Sequence, residues 1–264
     1  MLDLKNVKKT FNAKTVNEKT ALDGLDLHLD DQDFVTVIGG NGAGKSTMLN
    51  AIAGVWPIDQ GSIAIDGMEI SRLPEHRRAP FLGRVFQDPM TGTAATMQIE
   101  ENLALAARRG DRRTLRSGIS RAERDRYRDQ LAALGLGLED RMTTKVGLLS
   151  GGQRQALTLL MATLKKPKLL LLDEHTAALD PRTAEKVLEL SEKIVSEHQL
   201  MTLMVTHNMR DAIRYGNRLI MMNDGKIILD IAGEEKKRLT VENLMTAFFK
   251  ASGEEFVHDR ALLS

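Results

Sequence analysis

A run of eight residues, Gly39-Gly40-Asn41-Gly42-Ala43-Gly44-Lys45-Ser46, limits the possible folds more than any other part of the chain. It follows an apolar, β-rich segment, Phe34 to Gly39. It opens a segment, Gly44 to Ala53, whose spacing predicts a helix. Strand, glycine loop and helix in that order begin an α/β unit. The run fits the pattern G-x-x-x-x-G-K-S/T. Its glycines let successive backbone N–H groups point into one concavity, which suits phosphate oxygens. Lys45 is then expected to reach the β and γ phosphates, and Ser46 to offer a hydroxyl to Mg²⁺. The alternative is a glycine-rich turn.

A triphosphate site also needs a carboxylate for the metal and a group that orients water. Leu169-Leu170-Leu171-Leu172-Asp173-Glu174 supplies both at the exit of a strand that reads as fully buried. Ligands of parallel sheets sit at such carboxyl ends. Asp173 is expected to hold Mg²⁺, directly or through water, and Glu174 to polarise the attacking water. Taken alone, the pair also reads as a solvated acidic turn. Leu149-Ser150-Gly151-Gly152-Gln153 ends 20 residues before Asp173 (173 − 153) and precedes a predicted helix. Serine followed by two glycines at a helix start is a second anion-binding cap. One loop already accounts for the phosphates, so a second cap suggests a second subunit closing over the nucleotide.

Leu149 to Gln153 matches in full the LSGGQ signature of the ATP-binding cassette (ABC) ATPases, and the chain resembles that family over nearly its whole length. By this resemblance Gln87, in Val85-Phe86-Gln87-Asp88-Pro89, is the glutamine that contacts Mg²⁺ and water and links to a membrane partner. Asp180, in Ala178-Leu179-Asp180, lies in the loop that lines the dimer seam. His207, in Val205-Thr206-His207-Asn208, contacts the γ-phosphate, and Phe11 stacks on adenine. Singly, Phe11 also reads as core, His207 as an ordinary strand-end histidine and Gln87 as a loop residue. The order of the motifs is the family's order.

The resemblance implies catalytic roles for Glu174, His207, Gln87 and Lys45, and metal contacts from Ser46, Gln87 and Asp173. It implies nucleotide contacts from Phe11, Gly39, Gly40, Asn41, Gly42, Ala43, Gly44, Lys45, Ser46 and Thr47. Ser150, Gly151, Gly152, Gln153 and Asp180 join them. His175, where many members have proline, departs from the pattern and is assigned no role.

The implied fold is α/β, a P-loop NTPase core whose mixed sheet is flanked by helices. An N-terminal antiparallel β-subdomain and an inserted helical subdomain complete a single domain, 1–264. Residues 1–87 and 147–233 are expected in the core, 88–146 in the helical subdomain and 234–264 in a helical tail. The implied function is that of the ATPase subunit of an ABC transporter, with ATP and Mg²⁺ as cofactors. Its implied partners are a second copy, integral membrane permease subunits and a periplasmic or extracellular solute-binding protein, at the cytoplasmic face of a bacterial membrane. Solute import, with amino acids as one possibility, is the expected direction. The alternatives are an exporter-type cassette and a soluble ABC ATPase acting on DNA or the ribosome. Intact Lys45, Asp173, Glu174 and His207 argue against a non-catalytic scaffold.

Composition trims the remaining classes. Lys plus Arg is 37 against 36 Asp plus Glu, a formal net charge of +1. That balance argues against a chain built as a whole to coat nucleic acid or anionic lipid. There is no cysteine, which excludes disulfides and Cys-ligated metals. The N-terminal run MLDLKNVKKTF has no apolar core of a secretion signal. The longest nearly apolar run, Ala156 to Leu164, is too short for a membrane span. A soluble protein that reaches a membrane through a partner is therefore expected. Arg108 to Arg128 holds nine arginines against three acids. That stretch reads as a solvated helix face, as a docking face for a membrane partner or lipid, or as a nucleic-acid patch. Met201, Met204, Met209, Met221 and Met222 read as core filling.

Overall fold

The computed structural model describes residues 1–111 and 118–252, which form two compact units. The first unit begins with β1 (Leu2–Phe11), β2 (Lys19–Leu29), β3 (Phe34–Ile38), α1 (Lys45–Ala53), β4 (Gln60–Ile65), β5 (Met68–Glu69) and α2 (Glu75–Arg78). The second spans Ala79–His198. It holds β6 (Leu82–Val85), α3 (Ile99–Ala107), α4 (Arg121–Ala132), α5 (Gly151–Thr163), β7 (Leu169–Asp173) and α6 (Pro181–His198). The chain then returns to the first unit with β8 (Met201–Val205), α7 (Met209–Arg214), β9 (Arg218–Asn223), β10 (Lys226–Ala232), α8 (Gly233–Lys237) and α9 (Val241–Ser252).

In the first unit β2, β1, β4 and β5 form an antiparallel sheet in that order. β3 lies between β8 and β9 and runs parallel to both, while β10 returns antiparallel on β9. Every residue of β3 and of β8 is buried. Their sequences, FVTVI and MTLMV, are apolar but for one threonine each, as suits strands covered on both faces. α9 packs through Leu244 onto a cluster that includes Ile38, Met209, Ala212 and Met221. The five methionines expected in the core are all buried there.

In the second unit β6 and β7 pair in parallel, with Leu82 opposite Leu169 and Val85 opposite Leu172. Ile99 and Leu103 of α3, Tyr127 and Leu131 of α4, and Leu157 of α5 form one buried cluster. Truncating one of its leucines to alanine costs about 2–5 kcal/mol. α4 opens on a capping box, Ser120 with Glu123. Part of the arginine-rich stretch is tied down locally. Arg124 grips Glu100 through two bonds of 2.7 and 2.8 Å, Arg108 pairs with Glu123, and Arg109 donates to the Ala162 carbonyl. Residues 112–117 of that stretch lie outside the described residues. These contacts tie Arg108, Arg109 and Arg124 to the second unit's own residues.

Most long elements follow the sequence periodicity, but four short ones do not. β5, α2, α7 and α8 have two to six residues each, too few to display a period. No helix among the described residues is long and apolar enough to cross a membrane.

Candidate active site

The eight-residue glycine run turns directly from β3 into α1. Gly39 has φ 151°, and a Cβ there would lie 2.3 Å from the Met222 carbonyl oxygen of β9. Gly44 has φ 103°, and a Cβ there would meet the Ala21 carbonyl oxygen of β2 at 2.5 Å. The loop is therefore wedged between two strands at positions only glycine can fill. The β9–β10 turn braces it, since Gly225 N donates to the Ala43 carbonyl at 3.0 Å. α1 has no side-chain cap at its N-terminus. The Lys45 ammonium donates to the Gly39 and Gly40 carbonyls at 2.7 and 3.1 Å. Ser46 is exposed and Thr47 half-buried beside it. A concave backbone loop, an uncapped helix start and a cation fit a phosphate chain.

Two further predicted residues share this unit. His207 is exposed on the turn from β8 into α7. The turn is held on both sides: Asn208 N donates to Thr206 Oγ1, and Asn208 Oδ1 accepts from Arg210 N at 2.9 Å. Phe11 closes β1 and meets Trp56 edge to face, with ring centres 4.9 Å apart. Trp56 was not singled out from the sequence, because its pairing with Phe11 spans 45 residues. Lys236, also missed, is 3% exposed. Its ammonium donates to the Tyr215 carbonyl, to the Gly216 carbonyl at 3.0 Å and to Thr36 Oγ1. Burial pushes it down to about 8. Lys236 thus ties α8 to β3 and to the end of the helix that begins beside His207.

The second unit carries the remaining residues. β7 delivers Asp173 and Glu174, both half-buried. Glu174 has φ 44°, a left-handed conformation that is uncommon for a side chain of its size and turns the chain sharply out of the strand. His175, next in sequence, is 2% exposed. Ser191 Oγ of α6 donates to the Val187 carbonyl at 2.8 Å, so it accepts from His175 Nε2 at 3.0 Å. Burial pushes that imidazole down to about 4, so it is neutral at pH 7. His175 therefore anchors the turn that Glu174 begins. Gln87 is exposed just past β6.

Asp180 caps the start of α6, accepting from Thr183 N at 3.1 Å, and these Thr183 bonds hold its carboxyl below the usual range. The signature segment starts α5. Ser150 Oγ accepts from Gln153 N at 3.3 Å, and Gln153 Oε1 accepts from Ser150 N at 3.3 Å. A Cβ on Gly152 would reach Thr183 Cγ2 at 2.2 Å, and one on Gly151 would reach Leu179 Cδ2 at 3.2 Å. The two glycines let the start of α5 close onto the segment around Asp180.

Within the second unit the Asp173 carboxylate and the Gln87 amide oxygen are hard oxygen donors of the kind a hard dication takes, and the Ser46 hydroxyl of the first unit is another. Asp173 already accepts from a cationic donor, Arg84 Nη2, at 3.3 Å. No cluster of three or more His, Cys, Asp or Glu that could hold a metal ion is present among the described residues.

Comparison with known proteins agrees with this chemistry. The family profile described as "ABC transporter" matches residues 22–177. The chain is 44% identical over 248 residues to a tyrosine transport ATP-binding protein of Clostridioides difficile, spanning 94% of this chain and 98% of that one. It is 34% identical over 231 residues to a methionine import ATP-binding protein, MetN 2, of Enterococcus faecalis, covering 86% of this chain and 64% of that protein. Among solved structures it resembles a dimeric ATP-binding cassette in a post-hydrolysis state bound to ADP and Pi. There the TM-score is 0.75 at 30% identity, over 88% of this chain and 98% of the other.

Proposed function

The chain belongs to the ABC transporter ATPases as the ATP-binding subunit of a transport system. From that premise we propose that two copies close around two ATP molecules and drive the import of an amino acid. The observation that carries the proposal is the contrast between two helix starts. The loop before α1 is an uncapped backbone cradle with its own lysine, whereas the start of α5 is self-capped and holds no comparable cradle. A start of the second kind completes a site better than it founds one.

In this reading Gly39 to Thr47 wrap the β and γ phosphates, and Lys45 exchanges the Gly39 and Gly40 carbonyls for phosphate oxygens. Phe11, backed by Trp56, stacks on the adenine. Ser46, Gln87 and Asp173 hold Mg²⁺, which when bound neutralises charge on the phosphate oxygens. Glu174 accepts a hydrogen bond from water in line with the γ-phosphate, and His207 donates to a γ-phosphate oxygen. Ser150 of a second copy donates its hydroxyl hydrogen to the same phosphate, with Gly151, Gly152 and Gln153 beside it and Asp180 along the seam. Positioning and charge stabilisation supply the rate. Closure and reopening act on separate permease subunits at the cytoplasmic face of the membrane, and a solute-binding protein delivers the cargo. The names of the two relatives, a tyrosine transport and a methionine import protein, support an amino acid as that cargo.

Glu174→Gln tests the reading. It keeps the size of the side chain but removes the carboxylate, so ATP is bound and not turned over. Light scattering after gel filtration is expected to show a dimer in saturating ATP and a monomer without it. Full ATPase activity in the variant removes Glu174 from the mechanism, and a variant monomeric in saturating ATP removes closure by the isolated chain.

A further inference from the structure

Arg84 is a cation that none of the motifs requires. It lies on β6 opposite Leu171 of β7, and from there its Nη2 reaches Asp173 Oδ2 at 3.3 Å. Both side chains are largely withdrawn from water, 13% and 15% exposed. The guanidinium carbon sits 4.5 Å from the centre of the Phe86 ring. Arg84 Nε is buried and has no hydrogen-bond partner. The charge therefore rests on one carboxylate and one ring face, with a donor to spare. Water is too scarce there to screen it.

Asp173 is also the carboxylate assigned above to Mg²⁺, and the inference rests on that assignment. A guanidinium and a dication that draw on the same carboxylate repel each other and divide its charge. We propose that Arg84 is a competing counter-ion of Asp173: it weakens the hold of this site on a divalent cation. A cation that takes Asp173 leaves the Arg84 charge without its carboxylate beside Phe86. The strand end that carries Phe86 and Gln87 absorbs the change. Metal occupancy and the placement of Gln87 are thereby coupled through one side chain, three residues before Gln87 in sequence.

Mn²⁺ titrated into the full chain saturated with ADP, and followed by electron paramagnetic resonance, tests this without turnover. Arg84→Gln keeps a hydrogen-bonding head and removes the charge. Arg84→Met keeps an apolar stem against Phe86. Both are expected to bind Mn²⁺ about tenfold more tightly than the parent, the size of a typical coupling between two sites. ADP affinity in EDTA is expected to stay unchanged. Damage to the fold does not tighten metal binding, so a gain in either variant supports the proposal. Equal or weaker Mn²⁺ binding in both overturns it. Asp173→Asn separates the two assignments. If it binds Mn²⁺ as the parent does, Asp173 is not the metal ligand and the proposal falls with that reading. If it loses Mn²⁺ while the arginine variants gain nothing, the metal assignment stands and the competition is refuted.

Discussion

The helices α1 and α5 both begin on glycines, and their openings are built in opposite ways. Ahead of α1 the backbone is forced into φ 103° at Gly44, no side chain caps the helix, and a lysine closes on the loop's own carbonyls. Ahead of α5 the cap residue is extended, with φ −63°, and Ser150 and Gln153 satisfy each other in a capping box. The first opening uses glycine's conformational freedom to leave its backbone donors uncapped in a concavity that suits an anion. The second spends its side chains on its own helix and keeps one hydroxyl hydrogen to give. Glycines serve different ends in the two places. At 39 and 44 they fit a cradle between strands, and at 151 and 152 they let two segments of one unit close together.

The largest effect that tests this contrast is expected at Lys45. Lys45→Ala removes the charge-assisted bonds to phosphate, so ATP affinity should fall about 30- to 1,000-fold, or roughly 2–4 kcal/mol, and turnover should vanish. Titration calorimetry measures the first and phosphate release the second. Wild-type affinity in this variant erases the distinction between the two openings. Ser150→Arg comes next. It places a bulky cation at the self-capped start and should reduce turnover by at least about 100-fold. ATP affinity of the isolated chain should be unchanged, because the cradle before α1 is intact. A parallel loss of affinity would mean that α5 also founds the site.

Glycine replacements grade the same contrast through stability. Gly44→Ala adds a Cβ in a left-handed conformation, 2.5 Å from a backbone oxygen that cannot swing away. A loss of about 3 kcal/mol or more is expected. Gly152→Ala clashes with Thr183 Cγ2, a methyl that a rotamer change can move, and meets Thr183 Cβ at an ordinary 3.7 Å, so about 1–2 kcal/mol is expected. Gly40→Ala has nothing within 4 Å of the added atom and should be nearly neutral to folding. Urea unfolding of the three variants checks the order, and equal losses would contradict the packing described.

These openings were readable in the sequence because their chemistry is local. The glycine run, the Ser-Gly-Gly-Gln start and the buried Leu169–Leu172 strand each lie within one element or at its end. What escaped notice is contact at long range. Arg84 looks like any strand residue until β6 pairs with β7 and brings it to Asp173. His175 is informative only with Ser191 beside it, and Lys236 only when α8 is laid against Thr36 and Tyr215. α7 escaped because six residues show no periodicity, although its cap, Asn208, follows His207 directly.

A last contrast between the units runs through Lys236, which lies in the unit that holds the glycine loop. In the folded chain burial pushes its ammonium down to about 8 from the ordinary lysine value of 10.5. Below pH 8 it is charged whether folded or unfolded, and the folded chain bears the cost of a buried charge, partly offset by its three acceptors. Between pH 8 and 10.5 only the unfolded chain keeps the proton, so stability must rise with pH across that window. The rise is bounded at about 3 kcal/mol by the size of the shift. Lys236→Met has no such proton. Its own stability is expected to vary with pH only through the groups it shares with the parent. Urea unfolding of both proteins from pH 7.5 to 10.5 isolates the lysine. The parent should gain on the variant by about 1–3 kcal/mol as pH rises. A constant difference would mean that the three acceptors fully restore the ammonium's usual affinity for its proton. A falling difference would mean that Lys236 holds β3 and α7 together as a charged group. The link from α8 to the His207 turn would then be electrostatic and would break above pH 8.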